Sequence, residues 1–310
     1  MRSPKFALAT PAWAWLVAFF IIPVGMVIYF SFGYKPGIFG THATDVLSFD
    51  RYVEAFSPVF FATFMNTLWV GVIGTLLCLA IGAPVAYWMA VKAPPNRRGL
   101  LLALVMVPFW TNFLVRTIGW QILLAPQGLL GGLDLLYTRG GVLLGVVYNY
   151  LPLMILPLFV AFDRVGDPMR EAAKDLGAGR IRTFLSVTVP LARPGIIAGV
   201  LLVFIPLMGD YITATVLGGA QGNMVGQLVA SQFQTAQNWA LGSAMAVLLI
   251  LVIMVTVAVA GLIVWLATMP SRMRRRLVIG DAEATAPSTR SVPTAATATA
   301  TAAATTEEER

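Results

Sequence analysis

Residues 163–193 read DRVGDPMREAAKDLGAGRIRTFLSVTVPLAR, and they carry more local order than a connector needs. Asp167 followed by Pro168 is a helix start: the carboxylate can accept from free backbone N–H groups, and proline suits the first helical position, where no N–H is required. Gly177 supplies the stop. Between them Met169, Ala172, Ala173 and Leu176 recur at helical spacing, with Arg170, Glu171, Lys174 and Asp175 on the other face, so the pattern predicts an amphipathic helix of two or three turns. Ile181, Phe184, Leu185 and Thr188 repeat the spacing and end before Pro190. Two short helices are thus expected to meet at a glycine corner. Such a pair either lies on lipid headgroups or docks a soluble subunit.

The flanks of this segment are apolar. Of 310 residues 58% are hydrophobic and 11% charged, with a mean hydropathy of +0.80, whereas soluble domains carry about a quarter charged residues. A soluble globular protein is excluded as the default. One cysteine (Cys78) and one histidine (His42) rule out an intramolecular disulfide and His/Cys zinc clusters, and leave little room for a Ser-His-Asp site. Cys78 reads as a packing residue and His42 as a solvated loop residue.

About 20 apolar residues cross the hydrocarbon as a helix. Six such spans are predicted: 13–32, 62–89, 99–124, 140–162, 194–217 and 241–267. The second carries Gly71, Gly74 and Gly82, which let helices approach closely. Pro84, Pro108, Pro152, Pro157 and Pro206 are expected to kink spans. Residues 218–239, rich in glutamine, read as a loop or interfacial segment. The expected organisation is a cytoplasmic N-terminus, first span and outer loop (1–61), a five-helix core (62–268) holding the loop at 163–193, and a basic juxtamembrane segment with a disordered Ala/Thr-rich tail (269–310). The first span reads as an uncleaved signal anchor.

Lys and Arg set the orientation. Placing the N-terminus inside puts Arg2 and Lys5, then Lys92, Arg97 and Arg98, then Arg164, Arg170, Lys174, Arg180, Arg182 and Arg193, then Arg272 and Arg274 to Arg276 on one side. Only Lys35, Arg51 and Arg139 fall on the other. Both termini are therefore expected in the cytoplasm. Cations spread over four short membrane-proximal segments also argue against nucleic-acid binding, although the net charge is +7.

Glu171-Ala172-Ala173, then Gly177, Pro190 and Pro194-Gly195-Ile196 resemble the EAA signature of the membrane subunits of binding-protein-dependent ABC importers, the type I permease family. In that family the loop is the coupling helix that sits in a cleft of the ATP-binding subunit. The stretch Val107-Pro108-Phe109-Trp110-Thr111-Asn112 through Arg116-Thr117, and Gly195 to Pro206 with Gly209-Asp210-Tyr211 and Leu217-Gly218-Gly219, are similar to the permeases for spermidine and putrescine. Asp210 stands where glutamate is common there. The similarity covers roughly residues 16–265.

The resemblance implies an all-α polytopic membrane protein of the inner membrane with the type I importer fold. ATPase coupling would fall to Glu171, Ala172, Ala173 and Gly177, and no cofactor would reside on this chain, ATP and Mg belonging to the ATPase. Implied partners are cytoplasmic ABC ATPase subunits, a second and different permease chain, an external substrate-binding protein, lipid and a small solute. No G-x-x-x-x-G-K-[ST] phosphate loop occurs, consistent with a non-catalytic subunit. Polyamine is the preferred solute; amino-acid derivatives, opines, sulfate, thiamine and iron are alternatives. A stand-alone ion-coupled carrier would need an acidic or histidine relay at the midplane, and only Asp210 lies well inside a span.

Arg116 and Asp210 interrupt the third and fifth spans at similar depth. Charges there are costly and tend to pair, line a cavity or snorkel. Two readings follow: a gate in which Arg116 and Asp210 interact, or two charges that reach the outer headgroups separately. Trp110 and Tyr211 could also offer aromatic faces to a cationic solute near Asp210.

Overall fold

The computed structural model describes residues 5–37 and 40–284. Five helices are long and apolar enough to cross a membrane, and a sixth crossing is made if one bent pair counts as a span. Among the described residues the extended pairing is one isolated bridge, Tyr34 with Ala43. The chain divides into two units, one through Thr256 and one from Val257.

The first span joins α1 (Lys5–Leu16) to α2 (Ile22–Phe30) through a π-helical turn. Its side chains from Thr10 to Phe30 are not buried within this chain. After α3 (Asp50–Ala55), α4 (Pro58–Tyr87) starts where Ser57 accepts from Phe60 N and Pro58 takes the first turn. A π turn then extends it to Lys92. The glycines Gly71, Gly74 and Gly82 lie on its buried face.

α5 (Pro95–Trp110) and α6 (Phe113–Leu124) are bent by 83°. The continuous third span expected from hydropathy is therefore broken at Thr111 and Asn112. Proline 108 weakens the ladder just before the break, and Asn112 accepts from Leu114 N at 2.8 Å to restart the helix. α7 (Arg139–Val165) begins at Thr138, which accepts from Gly141 N.

α8 (Asp167–Asp175) forms as the periodicity predicts. The second short helix does not stand apart. α9 (Arg180–Thr183) runs through a π turn at 184–188 into α10 (Val189–Met208), so the fifth span occupies Arg180–Met208. The Val189 N–H reaches back to Phe184 O across this wider turn. A π turn spreads the ring closure by one residue, leaving room ahead of Pro190 and Pro194 for a helix to continue where an α ladder would break. The outer end also differs from expectation, because α10 stops at Met208 and residues 212–218 form a separate short helix.

The glutamine-rich stretch contains α11 (Val225–Gln234), tied to α4 by Asn66 Nδ2 donating to Asn223 O (2.7 Å) and Val225 N donating to Thr67 Oγ1 (2.8 Å). Lys35 Nζ donates to Ala236 O at 2.7 Å, joining the two outer loops. α12 (Trp239–Ala284) begins at the expected sixth span and continues through the basic run to Ala284. The tail beyond it lies outside the described residues, as does Arg2.

The core lies where α4, α7 and α10 meet, around Val70, Val146, Met154, Leu158, Val203 and Leu207. Lipid is as apolar as these side chains, so close packing rather than water exclusion holds the three helices together. Cys78 is buried in this cluster. At Gly195 on α10 any added Cβ would collide with Ala161 Cβ and come within 3.0 Å of Pro157 O on α7.

Candidate functional site

The cytoplasmic corner is built from α7, α8 and α9. α8 follows Gly166, whose φ of 71° turns the chain away from α7. Asp167 does not cap the helix; its carboxylate accepts from Arg170 Nη2 at 2.9 Å, which holds Asp167 below the usual carboxylate range. At the other end Gly177 has φ 80°. Its N–H donates to Lys174 O (2.8 Å) and Ala178 N to Ala173 O (3.0 Å), a Schellman closure that needs the left-handed residue.

One residue of α8 departs from the sequence pattern, while Glu171, Lys174 and Asp175 stay exposed as expected. Arg170, expected among the exposed charges, is 5% exposed and donates to Phe162 O at 3.2 Å. Phe162 lies in the last turn of α7, where carbonyls lack partners and a cation is favoured. Met169, at 58%, and Leu176, at 90%, face outward with Glu171 and Ala172, while Ala173 is half-buried. Among the described residues, Met169, Ala172 and Leu176 of the apolar stripe are thus left uncovered. Arg98 Nη1 to Asp163 Oδ1 (2.7 Å) fastens α5 to the same corner.

In the outer half, Arg116 and Asp210 do not form an ion pair; among the described residues the ion pairs are Arg51 with Glu54, Arg98 with Asp163 and Arg170 with Asp167. Each charge serves a helix break. Arg116 Nη1 donates to Pro108 O at 2.8 Å, and its guanidinium lies 5.9 Å from the Phe109 ring centroid and 5.6 Å from that of Phe113. Asp210 accepts from Thr213 N (3.0 Å) and Thr213 Oγ1 (2.5 Å), capping the 212–218 helix. Tyr150 is within electrostatic reach of both charges, and its ring packs edge-on to Phe113 at 6.0 Å. Trp110 is 79% exposed and Tyr211 44%. Nearby, Asn149 Nδ2 donates to Thr117 Oγ1 at 3.2 Å, while Asn149 Oδ1 is buried without a partner among the described residues.

Sequence reasoning found both charges and missed what holds them. Pro108 O collects Thr111 N, Thr111 Oγ1 and Arg116 Nη1. The available signal was Pro-x-x-Thr-Asn, a helix stop followed at once by a cap residue.

Five apolar spans and a bent helix pair, packed around the α4–α7–α10 core and carrying a short amphipathic helix on the cation-rich side, have the architecture of a polytopic membrane protein. Residues 82–269 match the family described as "Binding-protein-dependent transport system inner membrane component", and the chain belongs to that family. It is the inner-membrane permease subunit of a binding-protein-dependent importer. Among its relatives, the spermidine/putrescine transport system permease protein PotB of Escherichia coli K12 is 36% identical over 249 residues, covering 77% of this chain and 90% of the relative. PotB of Haemophilus influenzae is 38% identical over 256 residues, covering 78% and 88%. In a solved bacterial alginate ABC transporter in complex with an alginate pentasaccharide-bound periplasmic protein, one chain matches with a TM-score of 0.65 at 16% identity, covering 83% of this chain and 92% of that one. This likeness supports the type I importer permease fold.

Proposed function

We propose that this permease carries a polyamine-class cation inward and that α8 is the element through which a separate ATP-hydrolysing subunit drives it. The observation that carries the coupling role is the exposed stripe of Met169, Ala172 and Leu176, held on a helix whose opposite side is anchored by Arg170 to the end of α7. A short rigid lever with an apolar outer face suits seating in a cleft of a soluble partner. Glu171, Ala172, Ala173 and Gly177 form the contact and its hinge, and ATP and Mg bind on the ATPase.

The polyamine assignment rests on the identity to the spermidine/putrescine permeases over nearly the whole of their length. Trp110, Tyr211, Arg116 and Asp210 lie near the outer end of the path, with the exposed aromatic faces available to a passing cation. A substrate-loaded external receptor engages the loops at 35–60 and 218–239, which Lys35 ties together. The first span, unburied within its own chain, is available to lipid or to a second permease chain that completes the pore.

Two measurements test this. In vesicles holding the complete transporter, Gly177→Val is expected to keep ATP hydrolysis and lower spermidine uptake at least tenfold; unchanged uptake overturns the coupling role. Receptor-dependent uptake of labelled spermidine, competed by putrescine and not by sulfate or thiamine, is the expected substrate profile. Competition by an anion alone overturns it.

A further inference from the structure

A cavity of about 560 Å³ opens beside α8, between it, the inner end of α4 and the start of the fifth span. Its polar lining has four cations, Lys92, Arg170, Lys174 and Arg180, against two carboxylates, Asp167 and Glu171. Arg170 is the buried member, at 5% exposure. Two of its nitrogens are satisfied by Phe162 O and Asp167 Oδ1, and its Nε has no partner among the described residues. The remaining wall is apolar and belongs to the spans, with Ala83, Pro84 and Val91 on one side and Phe184 and Leu185 on the other. Phe184 is held edge-on against Tyr87 at 5.0 Å.

We propose that this cavity binds an anionic phospholipid of the inner leaflet. Three features converge on that chemistry. The excess of cations favours a phosphate and opposes a polyamine, so the cavity is not a stage on the path of a cationic solute. Lys92 and Arg180 are the inner terminal residues of two spans, with Arg170 and Lys174 beside them on α8, and basic pockets between membrane helices on the cytoplasmic side select anionic headgroups. The apolar wall runs directly from the cationic rim into the membrane-spanning segments, offering a surface for acyl chains that a free phosphate cannot use. A lipid seated there touches α4, α8 and the fifth span at once, bracing the inner face of α8 while its outer stripe stays free.

The test uses the assembled transporter in nanodiscs made from phosphatidylcholine with graded phosphatidylglycerol, and counts lipids retained on the complex by native mass spectrometry. Wild type is expected to retain phosphatidylglycerol at least tenfold over its share of the disc. Lys92→Gln with Arg180→Gln should abolish the preference, and Lys92→Arg with Arg180→Lys should keep it. Equal retention of the two lipids by wild type overturns the proposal, and this arm does not depend on how any variant folds. Retention that persists unchanged in the Gln pair also overturns it. Inorganic phosphate that displaces the retained lipid at low millimolar concentration assigns the site to a free anion and overturns the lipid reading.

Discussion

The Arg116 guanidinium donates to the Pro108 carbonyl at 2.8 Å, so a cation on one half of a broken span closes the open end of the other half. Pro108 O belongs to the last turn of α5, where carbonyls lack helical partners and the helix dipole is negative. The charge is therefore a strap across the 83° bend. Arg116→Met should lower stability by about 1–2 kcal/mol, read as earlier thermal unfolding in detergent. Exchanging the charges, Arg116→Asp with Asp210→Arg, should leave uptake as low as in the single variants, and a cycle with Asp210→Asn should show coupling under about 0.5 kcal/mol. Recovery of uptake in the exchanged protein would contradict this assignment.

Asp210 is buried, at 6% exposure, and each of its carboxylate oxygens accepts from Thr213. Asparagine can accept the same backbone hydrogen bond, whereas alanine cannot, so Asp210→Ala should cost about 1–2 kcal/mol and Asp210→Asn much less. Thermal melts separate the two. Transport measured on Asp210→Asn then isolates the charge: uptake near wild type leaves Asp210 a cap, and a selective loss for cationic solutes assigns it to the path.

Gly195 lies at a close approach of α10 to α7. A methyl group there meets Ala161 Cβ and Pro157 O, and neither backbone nor a Cβ can swing aside. Gly195→Ala should destabilise by about 1–3 kcal/mol and Gly195→Val by more, with the loss visible in the yield of folded protein. Gly119, with open space at its Cβ position, is the control expected to tolerate alanine.

His42 packs on Phe30 with ring centroids 4.4 Å apart, and neither ring nitrogen has a partner among the described residues. Burial lowers its pKa from the usual 6.5, so the fold favours neutral imidazole. The stabilisation is complete above about pH 6.5 and is lost as pH falls through the lower folded value. An NMR titration of this single histidine should give a midpoint below 6.5; a midpoint at or above it would remove the packed, neutral ring. His42→Phe should keep the ring contact and abolish this part of the pH dependence.

Sequence alone determined the membrane class, five of the apolar spans and the presence of α8. Those features follow from composition and from spacing within one helix, which act over a few turns and need no partner. The same applies to the Gly177 stop, because a left-handed cap is a local requirement of the chain. Tertiary structure decided which face of α8 is free, how the third and fifth spans break, and what the two membrane charges do. Periodicity placed Met169, Ala172 and Leu176 on one stripe and could not say whether that stripe is covered; the answer came from Arg170, drawn inward by the unpartnered carbonyl of Phe162 at the end of another helix. Arg116 and Asp210 likewise have matched positions in sequence, yet each finds a nearer partner at a helix end. A buried charge takes the closest strong partner, and only the folded chain settles which group that is.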